Sequence, residues 1–324
     1  MIKVLQSGIQ TTIQDYGRYG YRSFGISVSG VLSTYSSRLA NILAGNEMNA
    51  PVLEMVQSPH SFLFDEDCLV SFCGGGLIPS INGSPLPLFE PLLIEKGAIV
   101  DIKKPIEGFR LYMAVAGGFK ASSFLNSCST HLLSATGGFE GRVIKKNDIL
   151  NMLQPSSVSQ HIAGLLKKNL FFNIDQSLSP KIHSKEIRII TGHEYELLTD
   201  ESRVNLSAHS FHLTNDYNRM GYRLKSEMLQ LKEKKEMIST AVTKGTIQLL
   251  PDGQTILLMS DCQTAGGYSR IGQIIEADHC RCAQLKPGDE ISFQIISLPE
   301  AERLYLEQEQ RLLELQQKVQ QIFA

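Results

Sequence analysis

The sequence predicts a mainly β protein built from two similar β-barrel-like domains. Its 324 residues suit two domains of about 150 residues each. Short apolar runs alternate with Gly, Pro, Asn and Asp turn signals along most of the chain, which is typical of barrels and sandwiches rather than of a doubly wound sheet. The segment 144–150 resembles the segment 285–291, and each predicts a tight turn followed by a closing strand. This internal similarity favours two related units.

Individual strands are predicted from these apolar runs and the turns that separate them. Turn signals occur at Asn82-Gly83, Asp252-Gly253 and Pro287-Gly288-Asp289. The predicted strands cover residues 70–73, 92–94, 98–102, 110–115, 187–190, 246–250, 255–259 and 290–296.

Two helices carry clear end signals. Ser33 or Thr34 can cap the first helix, and Gly45 stands where a left-handed C-terminal cap is needed. Ser297 and Glu300 form a capping-box pattern that starts a closing amphipathic helix. Two roles of this helix remain open. It packs on its own domain, or it docks a partner, since the residues outside its apolar face are very polar.

The polar stretch 154–160 has the composition of a linker. We therefore predict an N-terminal barrel domain over residues 1–155, a C-terminal barrel domain over 185–296 and the amphipathic helix over 297–324.

Composition excludes several classes of protein. Apolar residues make up 42% and charged residues 20% of the chain, which argues against disorder. The net charge of −2 argues against nucleic-acid binding, and no apolar run reaches the roughly 18 residues of a membrane span. The start of the chain lacks signal-peptide features, so we expect a cytoplasmic protein with six reduced cysteines.

The common catalytic and metal-binding motifs are absent from the sequence. Cysteine and histidine spacings do not fit a zinc site, so no metal is expected. The phosphate-loop, dinucleotide-binding and nucleophile-elbow patterns are also missing. The sequence therefore argues against a self-contained nucleotide-hydrolysing, dinucleotide-dependent or serine-hydrolase site.

Three stretches hold more polar residues than a barrel scaffold requires. They cover residues 8–46, 218–224 and 261–268. Amides donate and accept hydrogen bonds together, arginine binds carboxylate or phosphate, and glycine allows close backbone approach. We predict binding of a small-molecule substrate by Gln10, Thr11, Gln14, Asp15, Arg18, Arg38, Asn41, Arg142, Arg219, Arg223, Asp261, Gln263, Thr264, Gly266, Gly267 and Tyr268. The first and third stretches are expected to converge, whereas no catalytic residue is assigned.

These stretches resemble the allophanate hydrolase subunit 2 family, which also contains the C subunit of 5-oxoprolinase, the Kip antagonist KipA and half of the urea carboxylase carboxyltransferase domain. The opening match is GIQTTIQDYGR at 8–18. Further matches follow in order at 36–46, 52–54, 114–118, 137–142, 218–224, 245–248, 261–268 and 285–289.

The resemblance implies a fold of cyclophilin-like β-barrels and a component of an ATP-dependent 5-oxoprolinase, which converts 5-oxoproline to glutamate. It also implies two partners. One is a homologue of the 5-oxoprolinase B subunit or of allophanate hydrolase subunit 1, which is KipI-like, and the other is a lactam-binding A subunit. ATP is expected in a site shared with a partner.

Two other functions remain open, a biotin-dependent carboxyltransferase component and a KipA-like regulatory binding protein. The chain has no Met-Lys-Met motif, so biotin is not expected to be attached to it.

Four positions depart from the family pattern, because two carboxylates and two arginines are missing together. Ser33 and Thr240 stand where the family has acidic residues, and Cys128 and Cys262 stand where it has arginines. Because positive and negative side chains are lost together, we infer that an ion-pair network was replaced as a set. Such a replacement can leave the free energy of folding nearly unchanged.

Overall fold

The computed structural model describes residues 1–168, 170, 182, 184–233 and 237–323. The chain divides into two compact units. The first comprises residues 1–17, 33–182 and 309–324, and the second comprises 18–32 and 183–308. The domain bounds predicted from the sequence stay a prediction.

The first unit packs two antiparallel sheets around one apolar core. Its sheets have the strand orders β11-β1-β4-β9-β6-β7 and β2-β3-β10-β5-β8. The strands are β1 (Ile2–Gln6), β2 (Thr11–Gln14), β3 (Val52–Val56), β4 (His60–Phe64), β5 (Cys68–Gly74), β6 (Leu77–Ile81), β7 (Ser84–Pro85), β8 (Pro91–Ile94), β9 (Ile99–Pro105), β10 (Arg110–Val115) and β11 (Ile149–Leu150).

Helix α1 (Thr34–Leu43) begins and ends as its sequence predicts. The Ser33 side chain accepts a hydrogen bond from the Ser36 backbone N–H, and Gly45 has a φ of 71°. Leu39, Ile42 and Leu43 are buried on one face.

The stretch predicted as a linker is instead the start of helix α2 (Ser157–Lys167). Ser156 caps this helix by accepting from the Ser159 N–H at 3.0 Å. The linker interpretation was wrong because serines that look like linker residues in composition are also the preferred N-caps of helices.

The second unit contains a closed seven-stranded barrel in the order β12-β19-β16-β17-β14-β13-β20. A parallel pairing between β12 and β20 closes it, and the other pairings are antiparallel. The elements from residue 186 onward are β12 (Glu186–Thr191), α3 (Asp200–Ala208), β13 (Phe211–Tyr217), β14 (Gly221–Lys225), β15 (Thr240–Ala241), β16 (Thr246–Leu249), β17 (Thr255–Leu258), β18 (Ala265–Gly266), β19 (Ser269–Ile274), α4 (His279–Cys282), β20 (Glu290–Ile295) and α5 (Leu298–Phe323). The prediction of a mainly β fold with a closing helix is confirmed. Of the two barrels predicted, the one in the second unit is closed, and the first unit consists of two packed sheets.

The two similar turns found in the sequence have the same geometry. In the first unit, Asp148 accepts from the Lys145 N–H at 2.7 Å, and in the second, Asp289 accepts from the Lys286 N–H at 2.9 Å. Asn147 and Gly288 occupy the left-handed position just before each aspartate. Each turn therefore uses its aspartate to stabilise the backbone and then leads into a closing strand.

Helix α5 starts at the predicted capping box, where the Ser297 hydroxyl accepts from the Glu300 N–H. Within the ranges described, no helix combines the length and the apolar composition that a bilayer crossing requires.

Candidate functional site

A buried ion pair connects the three polar stretches within the second unit. The Arg219 Nε donates to Asp261 Oδ2 at 2.9 Å, and its Nη2 donates to Asp261 Oδ1 at 3.1 Å. The Ser29 hydroxyl donates to the same carboxylate at 2.7 Å, and Arg219 also donates to the Gly30 carbonyl. Arg219 and Asp261 are 3% and 6% exposed. This network fixes where the third stretch begins.

The segment 18–32, here called the N-terminal strap, is held by side chains that donate to its backbone carbonyls. Lys244 Nζ donates to Leu32 O at 2.9 Å, and the Ser260 hydroxyl donates to Val31 O at 3.1 Å. One strap side chain also donates to the barrel backbone, since Arg22 donates to the Val242 carbonyl. Arg18 also lies in the strap, where it is 2% exposed. Polar contacts thus attach the strap to the barrel.

The loop 259–268 runs along the outside of the barrel wall. It leaves β17 at the barrel end where Leu258 pairs with Gly221. It enters β19 at the other end, where Ser269 and Thr255 both pair with Leu249. Ile247 points into the core, so its neighbour Gln248 faces outward under this loop. The loop therefore covers the outer face of β16.

Two carboxamides converge on Gly266 in this loop. A Cβ at Gly266 would lie 2.8 Å from Gln248 Nε2 and 3.5 Å from Gln263 Nε2. Gln248 is fully buried, whereas Gln263 and Tyr268 are exposed. Gly267 approaches the Met237 carbonyl, since a Cβ there would lie 3.3 Å from that oxygen. A side chain at 266 would therefore displace the Gln248 carboxamide.

Asp15 of the first unit organises a loop. Its Oδ1 accepts from the Gly17 N–H at 2.8 Å and from the Ser127 and Ser129 hydroxyls at 2.6 and 2.5 Å. Its Oδ2 accepts from the Cys128 N–H at 2.5 Å. With four donors on one buried carboxylate, these contacts give Asp15 a structural role, and substrate contact by it stays a prediction.

Thr11 and Gln14 lie on β2 and are buried. Thr11 Oγ1 is 2.7 Å from His60 Nε2. Gln14 Nε2 donates to Thr12 Oγ1 and to the Thr130 carbonyl. Gln10, just before this strand, is half-buried. Gln10 belongs to the first unit and Gln263 to the second, and their expected convergence stays a prediction.

His60 makes the stability of the first unit depend on pH. Burial lowers the pKa of His60 from 6.5 to about 4. Between these values the unfolded chain binds more protons than the folded chain, so the free energy of unfolding falls as the pH drops. We expect His60 to account for a loss of about 2 kcal/mol between pH 7.5 and pH 5. Urea unfolding at both pH values measures it, and His60→Gln is expected to remove this component. An unchanged pH dependence in that variant would contradict the assignment.

Asn41 and Arg38 lie on α1 and contact the loop after it. Asn41 Nδ2 donates to the Met48 and Ala50 carbonyls, and its Oδ1 accepts from Asn46. Arg38 contacts the Met48 sulfur and forms an ion pair with Glu309. Both residues therefore stabilise local structure in the first unit.

Arg142 and Arg223 are also paired with carboxylates. Arg142 binds Asp148 with two hydrogen bonds of 2.7 and 3.0 Å and lies over the Phe139 ring. Arg223 pairs with Asp252 at a half-exposed position. The carboxylates occupy guanidinium edges that a phosphate would otherwise use.

The positions that depart from the family pattern lie in ordinary structural contexts. In the first unit, Ser33 caps α1 and Cys128 holds Asp15 through its backbone. In the second, Thr240 pairs with Gly266, and Cys262 packs in a small apolar cluster with Val242 and Leu258. Burial raises the pKa of the Cys262 thiol to about 11, so it is neutral at pH 7.

Sequence reasoning did not select Gln248, Lys244 or Ser29 as site residues. Gln248 belongs to a family match at 245–248, and its outward position between apolar neighbours on a strand was the available signal. Ser29 lies within the polar stretch 8–46 but was not selected, and Lys244 gave no signal, because the partners of both are known only once the barrel is formed.

Comparison with known proteins defines the class of the chain. Residues 24–295 match the family "Carboxyltransferase domain, subdomain A and B". The chain is 36% identical over 301 residues to the C subunit of 5-oxoprolinase from Escherichia coli (strain K12), covering 93% of each chain. It is 34% identical over 322 residues to the C subunit of 5-oxoprolinase from Haemophilus influenzae, covering 97% of this chain and 99% of that one. The chain therefore belongs to the carboxyltransferase domain, subdomain A and B, family.

A solved structure shows the same fold. The Kluyveromyces lactis urea carboxylase aligns with 97% of the chain at a TM-score of 0.87 and 25% identity. The chain spans 29% of the length of that protein. The family resemblance expected from the sequence is confirmed.

Proposed function

We propose that this chain is the C subunit of an ATP-dependent 5-oxoprolinase, a multi-component amidohydrolase that opens the lactam of 5-oxoproline to glutamate. The near full-length similarity to two 5-oxoprolinase C subunits carries this proposal, because it covers at least 93% of both partners in each comparison. The K. lactis urea carboxylase matches over only 29% of its own length, which supports that activity less strongly.

The side chains favour a role in substrate binding over phosphate binding. Ring opening needs an activated amide carbonyl, and its coupling to ATP hydrolysis yields glutamate, ADP and phosphate. Arg38, Arg142, Arg219 and Arg223 all pair with carboxylates of this chain. The 261–268 loop instead offers amides, a hydroxyl and close backbone approach. We therefore propose that ATP binds in a site shared with a partner.

The partners in this proposal are a KipI-like homologue of the 5-oxoprolinase B subunit and a lactam-binding A subunit. Both relatives are named as subunits, which supports assembly into a complex. The complex is proposed to act in the cytoplasm.

A biotin-dependent carboxyltransferase component is the second candidate. The family match and the urea carboxylase fold favour it. In that role, a separate biotin carrier would deliver the carboxyl group, since this chain has no Met-Lys-Met motif.

Co-expression with the homologues of the A and B subunits from the same genome tests the proposal. The assembled complex is expected to release ADP and form glutamate only when 5-oxoproline is present, and the purified single chain is expected to be inactive. Turnover by the single chain would contradict the shared-site assignment. Bicarbonate-dependent ADP release that needs a biotin carrier and ignores 5-oxoproline would instead establish the carboxyltransferase.

A further inference from the structure

Gln248 combines complete burial with an incompletely paired carboxamide. It lies on the outer face of β16 with none of its surface exposed. Its Nε2 makes one long hydrogen bond, 3.4 Å to the Tyr268 carbonyl. Its Oε1 has no hydrogen-bond partner among the residues that the structure describes. A buried amide oxygen without a donor lowers the stability of the folded chain. Its presence therefore indicates a function, such as binding a ligand that supplies the donor.

The loop that covers Gln248 is held by few hydrogen bonds. The segment 263–268, here called the cover loop, is attached by the two-residue pairing of β15 with β18 and by a 3.1 Å bond from the Val242 N–H to the Thr264 carbonyl. Gly266 lies directly above the buried amide, and its neighbour Gly267 approaches the Met237 carbonyl. Few hydrogen bonds must break for this loop to lift, so its local opening has a low cost.

A lactam has the hydrogen-bonding edge that a carboxamide complements. In a five-membered lactam the amide is cis, so its N–H and C=O point to the same side. A glutamine carboxamide presents one acceptor and one donor on its own edge and can pair with both. Gln254 shows that a carboxamide of this chain can use both its atoms on one backbone residue, since its Oε1 accepts from the Ser226 N–H at 3.0 Å and its Nε2 donates to the Ser226 carbonyl at 3.3 Å.

We propose that Gln248 recognises the amide edge of the lactam substrate when the cover loop lifts. Its Oε1 accepts from the ring N–H, and its Nε2 exchanges the Tyr268 carbonyl for the ring carbonyl. This makes Gln248 the specificity residue that distinguishes a secondary lactam from an N-substituted one. The inference rests on the proposed 5-oxoprolinase function and adds the residue that binds the ring.

The first experiment replaces Gln248 with methionine in the assembled three-component complex. Methionine has a similar size and no amide, so the melting temperature is expected to be unchanged or raised, because an unpaired buried oxygen is removed. The KM for 5-oxoproline is expected to rise about tenfold or more while kcat changes less. The matched control, Gln254→Met, loses a paired structural amide, so its melting temperature should fall and its KM should stay unchanged. A lower melting temperature with an unchanged KM in Gln248→Met would show a structural role and overturn the inference.

N-methyl-5-oxoproline tests the ring N–H directly. The wild-type complex is expected to discriminate against this analogue, and Gln248→Met is expected to lose most of that discrimination. Equal competition by both compounds in the wild-type complex would refute recognition of the N–H.

Gly266→Ala supplies a second variant that leaves Gln248 in place. Its Cβ would press on Gln248 Nε2, so we expect a raised KM. Gly164→Ala in α2 is the control, because its Cβ meets nothing within 4 Å. If Gln248→Met fails to assemble, an unchanged KM in Gly266→Ala still overturns the inference.

A disulfide across the cover loop tests the opening. Ala241 and Ala265 are directly opposite in the β15–β18 pair. Oxidised Ala241→Cys/Ala265→Cys complex is expected to lose 5-oxoproline binding, and reduction is expected to restore it. Full affinity in the oxidised form would refute entry through this loop.

Absence of 5-oxoproline-dependent ADP release in the wild-type complex would instead overturn the proposed function and the inference together.

Discussion

Replacing Asp261 with alanine is expected to destabilise the chain by about 3–5 kcal/mol. The change removes the carboxylate that receives two hydrogen bonds from Arg219 and one from Ser29. The Arg219 guanidinium is then left buried without its counterion, and an uncompensated buried charge costs far more than a lost surface pair. Chemical denaturation of the purified chain measures the effect.

The matched control is Asp252→Ala, which breaks the half-exposed pair with Arg223. We expect it to cost less than about 1 kcal/mol, because solvent screens an exposed pair. Replacing Arg219 and Asp261 together with leucine is expected to cost less than Asp261→Ala alone, since no buried charge remains. Equal effects of Asp261→Ala and Asp252→Ala would contradict the role of burial.

Asp15→Ala is expected to cost about 3 kcal/mol of stability. The substitution leaves two backbone N–H groups and two serine hydroxyls without their acceptor. Leu125 and Asn126, just before that loop, have positive φ values of 50° and 60°. The carboxylate helps to hold this unfavourable backbone, so the loop should become a preferred site of limited proteolysis.

Ser127→Ala serves as the comparison for Asp15→Ala, because it removes one of the four donors and is expected to cost about 1 kcal/mol. If Asp15 acts by touching substrate, Asp15→Ala should instead weaken substrate binding by the complex and leave the melting temperature in place. Thermal unfolding and substrate affinity therefore separate the two roles.

Local signals made much of the fold predictable. Ser33, Gly45 and Ser297 mark helix ends through backbone chemistry that acts within a few residues, and the structure confirms all three. Asp148 and Asp289 could be matched because the turn that each stabilises is complete within its own segment. Helix α3 was missed because its sequence, DESRVNLSA, has a weak apolar face and only Ser202 and Leu206 are buried.

The candidate site was less predictable, because its contacts join residues far apart in sequence. The polar character of 218–224 and 261–268 was visible, whereas the pairing of Arg219 with Asp261 depends on the order of strands in the barrel. Gln248 was missed for a related reason. The sequence could have indicated its outward position on the strand, but its importance comes from a missing hydrogen-bond partner among the described residues, which has no signature in the sequence.

The N-terminal strap has a consequence for synthesis of the chain on the ribosome. It leaves the exit tunnel before the side chains that hold it, because Arg219, Lys244 and Ser260 are made roughly 200 residues later. At about 5–20 residues per second, the strap waits on the order of 10–40 s before its partners emerge. During that interval its backbone carbonyls are available to chaperones or to a neighbouring nascent chain. We therefore expect slower translation of residues 33–219 to increase misassembly of the second unit, while the first unit is affected less.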